Sequence, residues 1–172
     1  MIPRVFVLDV DGVLTDGGFY YSTEGKIMKK FGADDNDALS LLRPYIDIQF
    51  VTGDKRGYEI SKRRINDMHF ELTLVSTIKR VDWIEDNYNL QEVIYMGDGI
   101  FDHYVMRRVG YSIATSDADP MAKKFADYIT ERTGGHRAVA EACLHIMETF
   151  FEPYDEMVLP KGLMHSVRDW TV

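Results

Sequence analysis

Val5-Phe6-Val7-Leu8-Asp9-Val10-Asp11-Gly12-Val13-Leu14-Thr15 is an apolar run that stops abruptly at two carboxylates one residue apart, followed by a glycine. A run such as Val5–Leu8 reads as a strand buried on both faces, the kind found in a parallel sheet. Strand side chains alternate, so Asp9 and Asp11 fall on one side if the strand continues. Gly12 lets the chain turn sharply after them. Two buried like charges are costly unless something compensates them. The simplest arrangement sets the pair at the strand's carboxyl end, sharing a cation, where open parallel sheets bind their ligands.

Working outward, strand and helix patterns alternate through the chain without a repeat or a linker. Two short strand-like pieces, Phe19–Tyr21 and Lys26–Phe31, flank a turn-rich Ser22–Gly25 and predict a β-hairpin flap over about 17–31. Ala33–Asp37 suits a helix cap before Ala38–Leu42. Asp47–Val51 is the next strand and ends in Thr52-Gly53-Asp54. A helix is expected over Lys55–Met68, then a strand over Leu72–Val75. A helix follows over Thr77–Tyr88, with Lys79 in its first turn. Val93–Met96 runs into Gly97-Asp98-Gly99-Ile100-Phe101-Asp102, then a helix over Phe101–Val109. Tyr111–Ala114, a helix from Pro120 to Ala126, an edge strand at Tyr128–Thr130 and a last helix over His136–Phe150 complete the pattern. The fold class is therefore α/β, a doubly wound, mainly parallel Rossmann-like sheet. One domain spans 1–151, and a tail, 152–172, carries enough apolar residues to dock on its own domain or on a neighbouring subunit.

Composition narrows the function. Among 172 residues, 45% are apolar and 28% charged, ordinary for a soluble domain. The formal net charge of −8, with no basic run, argues against nucleic-acid binding. No stretch is long and apolar enough for a membrane span. The N-terminus runs straight into the first strand, which leaves no room for a signal peptide. The single cysteine, Cys143, fits a reducing compartment, so the expected location is cytoplasmic.

Four strand ends thus offer Asp9 and Asp11, Thr52, Lys79, and Asp98 with Asp102. In a doubly wound sheet such ends converge on one crevice. Hard carboxylate oxygens suit Mg²⁺. A lysine and a threonine suit a phosphate, and a carboxylate can act as the covalent nucleophile in phosphoryl transfer. The rivals fail on spacing: Gly12 is too early for an EF-hand glycine, and no P-loop, dinucleotide fingerprint or zinc pattern occurs.

Asp9-Val10-Asp11-Gly12-Val13-Leu14-Thr15 resembles the DxDGxxT signature of the haloacid dehalogenase superfamily of phosphatases. Thr52-Gly53 resembles its second motif, Lys79 its third, and Gly97–Asp102 its fourth. Within the superfamily, residues 4–150 resemble the capless 3-deoxy-manno-octulosonate 8-phosphate phosphatases and their nonulosonate 9-phosphate relatives. Supporting stretches are Met106–Ser112, Ala126–Thr130 and Gly134–Val139. The intervals between Asp9 and Thr52, and between Lys79 and Asp98, are too short for a cap domain. The resemblance implies a homotetramer whose neighbouring subunits supply the missing lid, and a small-molecule acidic sugar phosphate as substrate. It also implies roles. Asp9 attacks phosphorus and Asp11 is the general acid and base. Asp9, the Asp11 backbone carbonyl and Asp98 hold Mg²⁺. Thr52, Gly53 and Lys79 bind the phosphoryl group, and Asp102 orients a water on the metal, or Lys79, from behind. Gly99, Arg137 and Ala140 depart from the subfamily pattern. Asp54, where octulosonate enzymes often carry arginine, is a candidate for substrate specificity. The alternatives are a non-catalytic oligomerisation domain and a phosphatase of another small phosphate ester.

Overall fold

A computed structural model describes residues 2–160. Its strands are β1 (Val5–Asp9), β2 (Tyr20–Ser22), β3 (Gly25–Met28), β4 (Asp47–Thr52), β5 (Leu72–Leu74), β6 (Val93–Gly97), β7 (Tyr111–Ala114) and β8 (Tyr128–Ile129). Its helices are α1 (Asp34–Leu42), α2 (Tyr58–Asp67), α3 (Arg80–Asn87), α4 (His103–Met106), α5 (Pro120–Phe125) and α6 (Ala138–Phe150).

Six strands form one parallel sheet in the order β5-β4-β1-β6-β7-β8, and β2 pairs with β3 as a separate hairpin. The chain winds outward from β1 to β5, then returns to β6 on the other side of β1. That reversal puts a topological switch point between β1 and β6, where such sheets bind ligands. Every residue of β1 is buried, as its unbroken apolar run requires. Phe6 and Leu8 point into a core built with Leu39 of α1, Ile65 of α2 and Ile146 of α6. Val5 and Val7 point the other way, to Ile84 of α3, Val105 of α4 and Ala122 of α5. Three helices thus cover each face.

The starts of five helices differ from expectation: α3 starts at Arg80, after a turn of 3-10 helix over Thr77–Lys79, and the other four differ each for a local reason. α1 starts earlier, at Asp34, with three acids in its first turn, where the helix dipole favours them. α2 starts at Tyr58 because Asp54 Oδ1 accepts the Gly57 amide at 3.0 Å and holds the preceding turn. α4 is one turn only, because Asp98–Asp102 is tied into a loop by the Asp102 carboxylate. α6 starts at Ala138, since Arg137 takes a left-handed conformation, φ 75°. The start of the described tail, Glu152–Asp155, borders its own domain, whereas Met157 and Leu159 stand exposed. Tyr45 and Phe151 rings sit 5.5 Å apart, and Glu152–Asp155 help line a cavity of about 310 Å³ with Leu41, Pro44 and Tyr45. Leu163, Met164 and Trp170 of the tail lie outside the described residues. Among the described residues no helix is long and apolar enough to cross a membrane.

Candidate active site

The chain leaves β1 at Asp9 and turns through Val10–Leu14. Gly12 has φ +85°, and Thr15 donates its amide to the Val10 carbonyl at 3.0 Å. The buried Thr15 hydroxyl oxygen accepts the Gly12 and Gly17 amides, both at 3.2 Å, and so pins the turn. A Cβ on Gly12 would lie 2.0 Å from Asp98 Oδ2, so only glycine lets Asp98 approach this backbone. Gly134 closes the turn from outside, where a Cβ would meet the Gly12 carbonyl oxygen at 1.9 Å.

Asp9, Asp98 and Asp102 offer carboxylate oxygens that all lie within 4.8 Å of one another. Among them stands Arg80. Its Nη1 donates to Asp9 Oδ2 at 2.8 Å and to Asp102 Oδ1 at 3.0 Å, and its Nη2 donates to Asp9 Oδ1 at 3.3 Å. The buried Tyr95 hydroxyl lies 2.6 Å from both Arg80 Nη1 and Asp102 Oδ1. Asp102 Oδ2 accepts the Asp98 and Gly99 amides at 2.9 and 2.8 Å. Both Asp102 oxygens are therefore taken by protein donors, which makes Asp102 a builder of the loop and of the Arg80 pocket. Among the described residues Asp9 Oδ2 accepts from Arg80 alone, and it keeps a lone pair for chemistry.

Burial, and only then the nearby charges, sets the protonation of this group. Burial pushes the Asp98 carboxyl up to about 8, with Asp9, Asp102 and Asp117 adding to the rise. Burial likewise raises Asp9 to about 6, although Arg80 opposes it. Three carboxylates against one guanidinium leave two negative charges in excess when all are ionised. A hard dication held by Asp9 and Asp98 would balance that excess, and their carboxylates supply the oxygen ligands Mg²⁺ requires. The donor set fits magnesium.

A second group, part of it from the flap, adjoins the first. Asp11 Oδ2 accepts the Thr52 hydroxyl at 3.0 Å, and Lys29 Nζ lies 2.6 Å from Asp11 Oδ1. Lys29 Nζ also reaches Asp54 Oδ2 and Ser61 Oγ, both at 2.8 Å. Lys26 pairs with Asp54 as well and lies over the Phe19 ring. Asp54 is held down to about 2: burial opposes ionisation, but the hydrogen bonds from Lys26 and Lys29 prevail.

Asp9, Asp11, Thr52, Asp98 and Asp102 thus gather at the carboxyl ends of β1, β4 and β6, with Gly53 and Asp54 following Thr52. Lys79 stays outside: it is exposed at the head of α3, and Arg80 beside it reaches the cluster. The signal for Arg80 was its helical register, four residues before the fully buried Ile84 and so on its face. Lys29 left no such signal, because the exposed Ile27 and Met28 beside it invert the usual pattern.

Residues 78–142 match the haloacid dehalogenase-like hydrolase family model. The chain is 34% identical over 146 residues to the 3-deoxy-D-manno-octulosonate 8-phosphate phosphatase of Yersinia pestis, a match covering 81% of this chain and 77% of that protein. It is 35% identical over 144 residues to the same enzyme of Escherichia coli K12, with the same coverage. The crystal structure of the 3-deoxy-D-manno-octulosonate 8-phosphate phosphatase of Moraxella catarrhalis in complex with a magnesium ion, a phosphate ion and a KDO molecule superposes with a TM-score of 0.76 at 28% identity, covering 85% of this chain and 86% of that one. The fold and the site define a phosphatase of the α/β class. The chain belongs to the haloacid dehalogenase-like hydrolases, in the family of phosphatases that includes these relatives.

Proposed function

We propose that this protein is a Mg²⁺-dependent phosphomonoesterase of an acidic sugar phosphate, 3-deoxy-D-manno-octulosonate 8-phosphate or a nonulosonate 9-phosphate. The observation that carries the reading is the convergence of Asp9, Asp11, Thr52 and Asp98 on the switch point beside β1. The substrate class follows the relatives, which are named for octulosonate 8-phosphate.

Asp9 Oδ2 attacks phosphorus in line with the ester oxygen and forms an aspartyl-phosphate as the P–O ester bond breaks. Asp11 gives its proton to the departing alkoxide. It then takes one from the water that attacks phosphorus, which releases inorganic phosphate and restores Asp9. Thr52 and the Gly53 backbone bind phosphoryl oxygens. Arg80 takes the place expected of Lys79: it holds Asp9 in line and offsets negative charge where the phosphoryl group arrives. Asp9, Asp98 and the Asp11 backbone carbonyl would hold the metal, which when bound offsets the repulsion between nucleophile and phosphate. A small and exposed flap, with Phe19, Tyr20 and Tyr21 bare, supports a lid completed by other copies of the chain in a homotetramer.

The test is turnover of a panel of phosphorylated sugars and sugar acids with and without Mg²⁺. We expect the octulosonate or a nonulosonate ester to lead the panel and Asp9→Asn to abolish Mg²⁺-dependent turnover. An Asp9→Asn protein with full activity, or a panel led by a neutral sugar phosphate, overturns the reading. Sedimentation of the intact protein checks the subunit number.

A further inference from the structure

The flap carries a charge where its own pattern calls for none. Lys29 follows β3 directly, and its side chain is 0% exposed, while the apolar Ile27 and Met28 before it stand in solvent. Burying an ammonium costs several kcal/mol unless it is paired and hydrogen-bonded. A hairpin that needed only an anchor would turn Ile27 or Met28 inward instead. The buried ammonium therefore answers a need for charge at that point.

Its partners say what the need is. Lys29 Nζ meets Asp11 Oδ1 at 2.6 Å, Asp54 Oδ2 at 2.8 Å and Ser61 Oγ at 2.8 Å. One side chain so links the flap to the first motif, to the loop after β4 and to α2. Asp11 Oδ2 is already fixed by the Thr52 hydroxyl. Asp11 Oδ1 is buried and has Lys29 Nζ, at 2.6 Å, as its one partner among the described residues, so the ammonium steers it and leaves it a further lone pair. Asp54 has no such freedom: Oδ1 accepts the Gly57 amide, and Oδ2 is shared by Lys26 and Lys29.

We propose that Lys29 is a positioning residue for Asp11, holding its carboxylate in the orientation from which the leaving group is protonated, with Asp54 as the anchor that holds Lys29. Because Lys29 belongs to the flap, the placing of the flap and the placing of the acid become one event. Asp54 then acts on turnover through Lys29. This rests on the reading of Asp11 as the general acid, and the experiment separates the two.

The experiment compares kcat/KM, which reports formation of the aspartyl-phosphate and not its later hydrolysis, on two esters at saturating Mg²⁺ in the intact protein. One is the best sugar phosphate of the panel, whose alkoxide needs a proton to leave. The other is p-nitrophenyl phosphate, whose phenolate does not. A displaced acid slows only the first, whereas general damage slows both. Lys29→Met is expected to lose about 10²-fold on the sugar phosphate, the scale of a misplaced catalytic group, and to stay within about threefold on p-nitrophenyl phosphate. Lys29→Arg should recover most of the loss. Asp54→Asn, which keeps Lys29 but loosens it, should move the ratio in the same direction by less, and it serves where Lys29→Met does not fold. Equal losses on the two esters in these variants, or no loss on the sugar phosphate, overturn the proposal. Asp11→Asn is the control: unequal losses there uphold the acid reading whatever Lys29 shows, and equal losses sink that reading and the proposal with it.

Discussion

Arg80→Ala would leave Asp9, Asp102 and the Tyr95 hydroxyl facing one another with no cation between them. Breaking a buried pair by removing one partner costs about 3–5 kcal/mol. Loss of one preorganised donor at a reacting group costs about 10²–10³ in kcat. We expect Arg80→Ala to melt at a lower temperature and to lose at least about 10² in kcat. Lys79→Ala, one position away and exposed, should keep kcat/KM within about threefold. Steady-state kinetics and thermal melts of the two variants check this, and equal losses would return the phosphate contact to Lys79. The pair also shows where residue identity was legible. The acids announced themselves, because a carboxylate at the end of a buried strand has few other reasons to be there. The choice between Lys79 and Arg80 hung on helical register, and a residue type alone carries no register. Gly99 is a case of the same kind. A Cβ there would stand 3.5 Å from Asp102 Oδ2, an ordinary contact, so the backbone does not demand glycine and the loop holds without a further acid.

Helices α1 and α6 are joined by a buried acid as well as by apolar packing. Asp35 Oδ1 accepts the Ala140 amide of the first turn of α6 at 3.0 Å, while its buried Oδ2 finds no hydrogen-bond partner among the described residues. Burial raises this carboxyl to about 6, with the Ala140 bond opposing and the neighbouring Asp34 adding to the rise. A carboxyl whose folded pKa lies above its unfolded value stabilises fully below the unfolded value, near 3.8, and loses that stability as pH rises through about 6. At pH 7.5 the ionised Asp35 is therefore a burden, and Asp35→Asn keeps an acceptor for Ala140 without the charge. We expect the variant to be more stable than the parent by about 2 kcal/mol at pH 7.5 and no more stable at pH 4. Denaturant melts at the two pH values decide it, and a variant less stable at pH 7.5 refutes the account. At this scale the sheet was legible, since each strand is a short apolar run with a polar stop. Helix starts were less so. Arg137 at φ 75° and the Asp54–Gly57 turn depend on contacts with residues far away in the chain or on conformations a sequence pattern does not record. The flap was legible as a hairpin from its turn, but Lys29 inside and Met28 outside contradict the polarity rule by which strand faces are assigned.

For the molecule as a whole, the metal and the proton compete. Without a dication, Asp9 and Asp98 hold their protons up to about 6 and about 8. Both values are raised, so the stability these groups contribute is present at acid pH and lost as pH climbs through that window. A dication binds the ionised forms, so its hold on the fold must strengthen over the same window. Saturating Mg²⁺, at about 100 times its dissociation constant, adds about 2.7 kcal/mol. We expect the melting temperature to rise with Mg²⁺ over EDTA by more at pH 8 than at pH 5.5, and Asp98→Asn to lose most of that rise. An equal rise at both pH values overturns the assignment of the metal to these acids.

The sheet order has a consequence for how the chain reaches this state. β1 is made first and sits in the middle, paired on one side with β4 and on the other with β6. As the polypeptide leaves the ribosome, Val5–Leu8 waits for Asp47–Thr52, and its second edge waits until Val93–Gly97 has emerged. Pairings that distant close loops slowly and leave apolar strand edges open meanwhile. The strand that ends in Asp9 is thus the segment longest exposed to wrong partners during synthesis, and the one a chaperone would have most reason to cover.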